Sequence, residues 1–467
     1  MRRKPLVHLK SGKRQVHHRA GENPERYQHP RTRCDLHETR RIALELAIYR
    51  DYPAGPIPLG TLTRENGTTS FRYAAEYLSR SDAAAVSLSL PLRSEPFTEE
   101  ELLPYFKGLL PEGEALENVC RSMGILATDY FTMLESCGLD CLGDIIINPD
   151  AYQNERAYEP ISLQDLLSMA GKPEGIDKSI ELARLSLAGT QNKCGLFHDP
   201  AAPLDEGWYQ PLGGAPSNYI VKFAREDLRD LMTVEHLSLA CARACGVPAA
   251  KTELLNPPRP IICVERYDRL ANAHETIDGL AAPLRRHQED ITQAFAIMPA
   301  AKYRQLEPST MAALAAFLRQ NSAAPAQDIA NLTRLMLFNY LIGNCDNHLK
   351  NISILYAPTW RSFQLAPAYD LVSTTYFARF SSNMGMAIGN HLDITEVEPD
   401  DFRIAAEQMG VNVRLLRTIV KDFQGQATAA LGAEGNALEN QGFAAAPYIA
   451  DDLQEEVCPR LEVLSKI

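Results

Sequence analysis

The chain lacks the features that mark membrane proteins, secreted proteins and the most common nucleotide-binding proteins. Its 467 residues contain no apolar run near the roughly 18 residues of a membrane span. The amino terminus is charged and has no apolar signal segment. Neither a Walker A motif nor the G-x-G-x-x-G loop of ordinary protein kinases is present. These absences exclude membrane transport and predict a globular protein of the cytoplasm.

The ten cysteines include no C-x-x-C pair. Cys137 and Cys141, like Cys241 and Cys245, lie four residues apart within apolar sequence. This spacing places each pair on one face of a helix, where reduced cysteines pack as small apolar side chains. We therefore expect free cysteines in the core, with a zinc site as the alternative. A chain without a disulfide pattern also fits the reducing cytoplasm.

Charge is unevenly distributed along the chain. The net charge is −12, yet residues 1–41 carry twelve Lys and Arg against four Asp and Glu. This arm also has no apolar periodicity, so we expect it to be disordered in isolation or to depend on a partner. Two interpretations stay open: an arm that contacts nucleic-acid phosphates, and a solvated tail. The acidic remainder makes direct DNA binding by residues 42–467 an unfavourable hypothesis.

Residues 342–351 are the most informative stretch, because they form a polar loop between a helix-like apolar run and a strand-like segment. Asp346 and Asn351 have the spacing of the protein-kinase catalytic loop, where Asp accepts the substrate hydroxyl proton and Asn holds Mg²⁺. Asp370 follows on the next strand-like segment and supplies a second oxygen ligand for a hard cation. Taken alone, this spacing is equally compatible with solvated loop residues.

Three upstream segments occur in the order that a kinase requires. Residues 185–197 are typical of a strand, a small-residue turn and a second strand, whose backbone N–H groups can cover phosphates. Lys222 lies within the apolar strand 218–223, and Glu235 follows in the first turn of a helix as a candidate ion-pair partner. Alternatively, the lysine reaches solvent and the acid complements the helix terminus. Residues 261–269 resemble a hinge that leaves backbone groups free for a purine, and the collinear order is itself specific.

These elements predict an α+β chain: a protein-kinase-like two-lobed fold with an extra small N-terminal α+β subdomain and a mostly helical C-terminal lobe. The expected regions are a basic arm over 1–41, the subdomain over 42–150, a kinase N-lobe over 151–269 and a helical C-lobe over 270–467. The N-lobe would hold the phosphate loop, the lysine strand and the hinge. The C-lobe would hold the catalytic loop and the metal site.

Several local predictions belong to this layout. A hairpin turn is expected at Asn66 and Gly67, because Asn-Gly favours the left-handed backbone of such turns. Residues 87–92 are predicted to be a strand, and residues 98–110 a helix capped by Thr98. Residues 151–182 are expected to be a polar connection with a single helix near 163–169.

At seven collinear stretches the chain resembles the HipA family of serine/threonine kinases, the toxins of bacterial toxin–antitoxin pairs. The stretches are FKGLLPEG at 106–113, SLAGTQNK at 186–193, YIVK at 219–222, VERYDR at 264–269, HQED at 287–290, FNYLIGNCDNHLKN at 338–351 and LAPAYDLVST at 365–374. The resemblance extends over residues 42–465 and leaves the arm outside. It implies a kinase that uses ATP and Mg²⁺.

The resemblance also implies roles for individual residues. Asp346 would be the base and Lys350 would neutralise the transferred phosphoryl group. Ser186 would be the autophosphorylation site, whose phosphate would expel the loop that covers ATP and silence the kinase. The remaining implied positions are Lys222 for the ATP phosphates, Glu265 and Tyr267 for adenine, Asn351 and Asp370 for Mg²⁺, and Ala188, Gly189, Thr190, Gln191, Lys193 and His348 as further nucleotide contacts.

Partners follow from the resemblance as well. Relatives phosphorylate translation components, typically aminoacyl-tRNA synthetases, and are restrained by a HipB-like helix-turn-helix antitoxin that carries the complex to DNA. The expected function is therefore a growth-arresting protein kinase. The alternatives are a kinase-shaped scaffold that acts as an antitoxin-bound co-repressor, and a small-molecule phosphotransferase on the same fold. Retention of four catalytic positions disfavours the scaffold, and the small N-terminal unit disfavours the small-molecule enzyme.

Overall fold

The computed structural model describes residues 43–148, 155–169, 193–224, 226–257, 259–272 and 275–467. The predicted arm and most of the predicted phosphate loop, including Ser186, lie outside these ranges. Within them, no helix combines the length and the apolar character needed to cross a membrane.

The N-terminal unit is a four-stranded antiparallel sheet, in the order β3-β2-β1-β4, with four helices. Its elements are β1 (Leu44–Tyr52), β2 (Gly55–Glu65), β3 (Thr68–Tyr73), α1 (Ala75–Leu78), α2 (Glu99–Gly108), α3 (Gly113–Met123), α4 (Tyr130–Cys137) and β4 (Ile145–Asn148). The hairpin turn is confirmed, since Asn66 and Gly67 have φ of 52° and 82°. The capped helix is also confirmed, since Glu101 accepts a hydrogen bond from the Thr98 N–H at 2.8 Å.

The predicted strand at residues 87–92 is wrong. Ser87 and Leu90 instead bracket a tight turn, in which the Leu90 N–H donates to the Ser87 carbonyl at 3.1 Å. The Ser87 hydroxyl donates to Glu289 at 2.5 Å, and the Leu88 N–H donates to the same carboxylate at 3.1 Å. A distant acid satisfies polar groups that a strand ladder would otherwise use, so the alternating pattern of serine and leucine misled the prediction.

In its described residues, the second region is a six-stranded antiparallel sheet, in the order β5-β7-β6-β8-β10-β9, with two helices. Its elements are β5 (Ala157–Ile161), α5 (Leu163–Met169), β6 (Lys193–His198), β7 (Trp208–Leu212), β8 (Tyr219–Phe223), α6 (Leu231–Ala244), β9 (Thr252–Leu255) and β10 (Ile261–Glu265). The predicted helix near 163–169 is confirmed. The connection is nevertheless not purely polar coil, because β5 forms the edge of the sheet, where Pro160 is tolerated.

The C-terminal region is mostly helical, with short hairpins. Its helices are α7 (Ile291–Ala294), α8 (Thr310–Asn321), α9 (Pro325–Ile342), α10 (Pro399–Met409), α11 (Val413–Asn440) and α12 (Ala446–Ser465). Its strands are β11 (Arg269–Leu270), β12 (Thr276–Ile277), β13 (Leu280–Ala281), β14 (Leu284–Arg285), β15 (Gln288–Asp290), β16 (Ser353–Tyr356), β17 (Phe363–Leu365), β18 (Asn383–Ile388) and β19 (His391–Asp393). Helices α6, α9, α11 and α12 share one apolar core.

Helix α9 sets the position of the polar loop that follows it. Its C-terminal half is buried almost all round, which fixes the helix in the core. It ends at Gly343, whose φ is +77°. A Cβ on that residue would lie 2.1 Å from Thr375 Oγ1, so only glycine fits the turn. The chain therefore leaves the core abruptly and delivers residues 344–348 to the surface of a cleft.

Candidate active site

Nine of the predicted site residues line one cleft with an open volume of about 1040 Å³ between the six-stranded sheet and the helical region. They are Lys193, Lys222, Glu265, Tyr267, Asp346, His348, Lys350, Asn351 and Asp370. Five other predicted nucleotide contacts, Ser186, Ala188, Gly189, Thr190 and Gln191, lie outside the described residues. The roles of all of them stay predictions.

Lys222 is the centre of a buried ion cluster. Its Nζ lies 2.6 Å from Glu235 Oε1 and 2.5 Å from Asp370 Oδ1. Burial opposes the charged ammonium, but Asp370 and Glu235 outweigh burial and raise the pKa of Lys222. The predicted ion pair with Glu235 is therefore present. A charged lysine is held beside an acid from a distant segment.

Asp370 and Lys193 complete this side of the cleft. Asp370 has a left-handed backbone, with φ of 57°, which is uncommon outside glycine, although aspartate is among the residues that tolerate it. Burial works against its charge, yet Lys222 and Lys193 lower the pKa of its carboxyl well below the usual range. Lys193 lies opposite Lys222 in the β6–β8 pair. Burial and the neighbouring Lys222 lower the pKa of Lys193 to about 8.

The loop that carries Asp346 is held by hydrogen bonds within the loop and by one to Thr374. The Asp346 N–H donates to Asn344 Oδ1 at 3.0 Å, and Asn351 Nδ2 donates to the Asp346 carbonyl at 2.8 Å. The Cys345 N–H donates to Thr374 Oγ1 at 2.8 Å, which ties the loop to the segment after Asp370. Asp346 is thereby presented with its carboxylate in the cleft.

The Asp346 carboxylate has two aromatic neighbours. Burial raises its pKa, and the hydroxyl of Tyr303, which donates to Oδ1 at 2.5 Å, acts in the opposite direction. His348 Nε2 lies 3.9 Å from the same oxygen. Burial and nearby Lys302 lower the pKa of His348 to about 4, so the imidazole is neutral at neutral pH. Tyr303 was absent from the predicted site.

Lys350 is held by two acids that the sequence analysis did not assign to the site. Its Nζ lies 3.2 Å from Glu112 Oε1 and 3.1 Å from Asp290 Oδ2, and it donates to the Gly108 carbonyl at 3.2 Å. Glu112 also lies 3.3 Å from Lys302 Nζ. Glu112 and Asp290 fall inside two of the stretches that carry the family resemblance. That position was the available signal, but no pattern indicated that they meet Lys350.

The predicted hinge is more tightly bonded than expected. The N–H groups of Glu265 and Arg266 donate to the carbonyls of Lys251 and Asn218, each at 2.9 Å. Two backbone donors of the segment 261–269 are therefore not free for a purine, and the role of the segment as a hinge stays a prediction. Tyr267 donates its hydroxyl to Gln288 at 2.5 Å, and its ring lies 5.9 Å from that of Tyr369 at the floor of the cleft.

A buried network joins the hinge to the N-terminal unit. Asp140 accepts from Arg269 at 3.0 Å and from Arg285 at 2.9 Å, and lies 3.4 Å from Arg266. Burial disfavours its charge, but the three arginines hold its pKa well below the usual range. The hinge geometry thus depends on a carboxylate from the N-terminal unit. None of these contacts was predicted.

The described cysteines support the expectation of free thiols. Cys137, Cys141, Cys241 and Cys245 are all buried and unbridged. Among the residues that the structure describes, no group of three or more His, Cys, Asp or Glu side chains is arranged to hold a metal ion. The zinc alternative has no support in this part of the chain.

Comparisons with known proteins match two regions of the chain to one family. The sequence profile of the HipA N-terminal domain matches residues 54–148, and that of the HipA-like C-terminal domain matches residues 185–431. The putative kinase Y4mE of Sinorhizobium fredii is 32% identical over 370 residues, covering 77% of this chain and 85% of the relative. The serine/threonine-protein kinase toxin HipA of Shewanella oneidensis is 28% identical over 337 residues, covering 68% and 74%.

A solved structure gives the same result at the level of the fold. The complex of HipA, HipB and operator DNA from Shewanella oneidensis contains a chain that superposes with a TM-score of 0.69. The match has 22% identity and covers 90% of this chain and 99% of that chain. Fold and sequence profiles together lead to one conclusion: this chain belongs to the HipA family.

Proposed function

We propose that this protein is an ATP- and Mg²⁺-dependent serine/threonine-protein kinase with the two-lobed kinase layout, and that it arrests growth as a toxin. The observation that carries the proposal is the convergence of Lys222, Asp346, Asn351 and Asp370 on one cleft. They come from three separate segments of the chain. A protein without phosphoryl-transfer chemistry has no evident need to hold these four side chains together.

The residues of the cleft fit a bound Mg²⁺ ion. Asp370 uses Oδ1 for Lys222, and its side chain keeps 33% of its surface exposed. Asn351 uses its amide nitrogen for the Asp346 carbonyl, which leaves the amide oxygen as the candidate ligand. Carboxylate and amide oxygens are ligands that Mg²⁺ accepts. When bound, the ion supplies positive charge to the phosphates of the nucleotide.

The other side chains divide the remaining work. Lys222 is charged, buried and fixed by two acids, so it presents an immobile positive charge to a phosphate. Asp346 already accepts a hydrogen bond from a hydroxyl, which is the interaction that orients and deprotonates an acceptor. Lys350 and Lys302 place two further positive charges in the cleft, where both lie beside Glu112. Catalysis would then rest on positioning and charge.

The finer parts of the proposal rest on the family resemblance. We expect the substrate to be a translation component such as an aminoacyl-tRNA synthetase, and autophosphorylation of Ser186 to be self-inactivating. The structural relative was solved with HipB and operator DNA. We therefore expect a HipB-like helix-turn-helix antitoxin here too, with DNA contacted through it. DNA contact by the basic residues 1–41 is the alternative to a solvated tail. A catalytically weak co-repressor is the second candidate.

The test is intact-mass analysis after incubation with Mg-ATP, followed by peptide mapping. Wild type, first shown to be unmodified, is expected to gain phosphate on Ser186. Asp346→Asn is expected to gain none, and the exposed control Asp400→Asn should behave as wild type. Wild type that acquires no phosphate on itself or on purified aminoacyl-tRNA synthetases would transfer support to the co-repressor, whose readout is operator binding with the antitoxin.

A further inference from the structure

A second opening meets the nucleotide cleft at the candidate base. This groove has an open volume of about 1960 Å³ and includes Tyr303, Phe380, Arg379 and Met384 in its lining. Lys193, Asp346 and Asp370 line both the groove and the cleft. Tyr303 lines only the groove. The carboxylate of Asp346 therefore borders both openings, and a tyrosine that lines the groove donates to it.

The phenol of Tyr303 occupies the position that an acceptor hydroxyl needs. Its oxygen lies 2.5 Å from Asp346 Oδ1, within the distance over which a general base removes a proton. A kinase acceptor must offer its hydroxyl to this carboxylate. Tyr303 does so without any movement of the base.

The surroundings of Tyr303 hold this arrangement. Its ring packs edge-on against the His348 ring, with centroids 5.0 Å apart, and the Lys302 ammonium lies 5.5 Å from the ring centroid. The Leu349 N–H donates to the Lys302 carbonyl at 3.1 Å, so the segment is attached to the catalytic loop itself. Half of the Tyr303 side chain is still exposed, at 51%. The phenol is thus fixed at the base and open to the groove.

We infer that Tyr303 is a phosphorylation site of this protein, modified by its own active site within the same chain. The inference rests on the proposed kinase function. In the step, the phenol proton passes to Asp346, the phenol oxygen bonds to the γ-phosphorus of ATP, and the bond to the β,γ-bridging oxygen breaks to release ADP. The product, a phosphotyrosine with close to two negative charges, would stand between the groove and Asp346 and would block acceptor proteins.

The test uses the full chain carrying Ser186→Ala, so that Tyr303 is the site under observation. After incubation with Mg-ATP, cleavage after arginines releases the peptide 287–304, which contains Tyr303 and Thr292 as its only hydroxyl residues. Phosphate is expected on Tyr303 and is expected to disappear in Tyr303→Phe and in Asp346→Asn. Tyr448, which is exposed at 73% on α12, is the internal control and should remain unmodified.

The intramolecular route has its own readout. The first-order rate constant should not change over a tenfold range of protein concentration, and Asp346→Asn protein mixed with active protein should stay unlabelled at Tyr303. Label on that mixed-in variant would overturn the inference, because the phenol would then be reached from another molecule. Phosphate on Ser186 of the wild type, or on a protein substrate added to the Ser186→Ala chain, with none on Tyr303, would overturn it while leaving the kinase intact. No phosphate anywhere would overturn the proposed function and the inference together.

Discussion

Two buried lysines in this molecule are each paired with two carboxylates, but the carboxylates come from different parts of the chain. Lys222 is held between Glu235 and Asp370, and Lys350 is held between Glu112 and Asp290. In each case two carboxylates surround one ammonium group, which offsets the cost of burying the charges. The Lys222 cluster joins the six-stranded sheet to the segment that carries Asp370. The Lys350 cluster joins the loop 344–351 to the N-terminal unit.

This difference bears on what the N-terminal unit does. Glu112 immediately precedes α3 and lies in the cleft beside the candidate base. The same unit packs on β15 and α7, where Gln293 Nε2 donates to the Tyr105 carbonyl at 3.1 Å. The loop that carries Asp346 and Lys350 is therefore in contact with the N-terminal unit. We expect Glu112 to position Lys350 and Lys302, which would make the N-terminal unit part of the proposed active site.

The largest effect should come from breaking the Lys222 cluster with Lys222→Ala. Removing the ammonium leaves the buried Glu235 carboxylate without its ion-pair partner, so we expect the free energy of unfolding to fall by about 3–5 kcal/mol. Phosphorylation should fall by about 10³-fold, because the fixed charge for the phosphates is lost. Denaturant unfolding and phosphate incorporation measure the two effects. The exposed control Lys421→Ala should match wild type in both, and so would Lys222→Ala if the cluster had no role.

Breaking the second cluster with Glu112→Gln should have a smaller and more selective effect. The substitution keeps the volume of the side chain but frees Lys350 and Lys302 to shift, and small displacements of active-site groups cost about 10²-fold in rate. We expect kcat to fall to that extent while nucleotide affinity stays within about twofold, as read by calorimetry. The matched control is Glu117→Gln, on the exposed face of α3. Equal losses in nucleotide binding and kcat would contradict the assignment.

The smallest expected effect is a displacement of the acid limb of the pH–rate profile. Burial raises the pKa of Asp346, and the base must be ionised, so activity should be lost as pH falls through that raised value. The Tyr303 hydroxyl lowers this pKa and Glu112 raises it. Tyr303→Phe should therefore move the limb to higher pH, and Glu112→Gln should move it to lower pH. Shifts in the same direction in both variants would contradict this electrostatic account.

The contact between Lys222 and Glu235 was predictable, because the two residues lie close together in the chain. Lys222 and Glu235 are 13 residues apart, and a strand followed by a helix brings such residues together regularly. The loop from Asp346 to Asn351 carries its own spacing signal. The hydrogen bonds of the predicted hinge were harder to predict. The N–H groups of Glu265 and Arg266 donate to the carbonyls of Lys251 and Asn218, and nothing in the local sequence indicates these partners.

By itself, the sequence determined the α+β character, the helix and hairpin boundaries set by capping and turn residues, and the collinear order that indicates the HipA family. Tertiary structure alone decided which distant polar and charged groups meet. Lys350 and the Gly108 carbonyl are 242 residues apart, and Ser87 reaches Glu289 across 202. Such contacts leave no periodicity in the chain, because they depend on how whole units pack. The partners of Lys350, the position of Tyr303 and the buried network at the hinge therefore became visible only in the folded molecule.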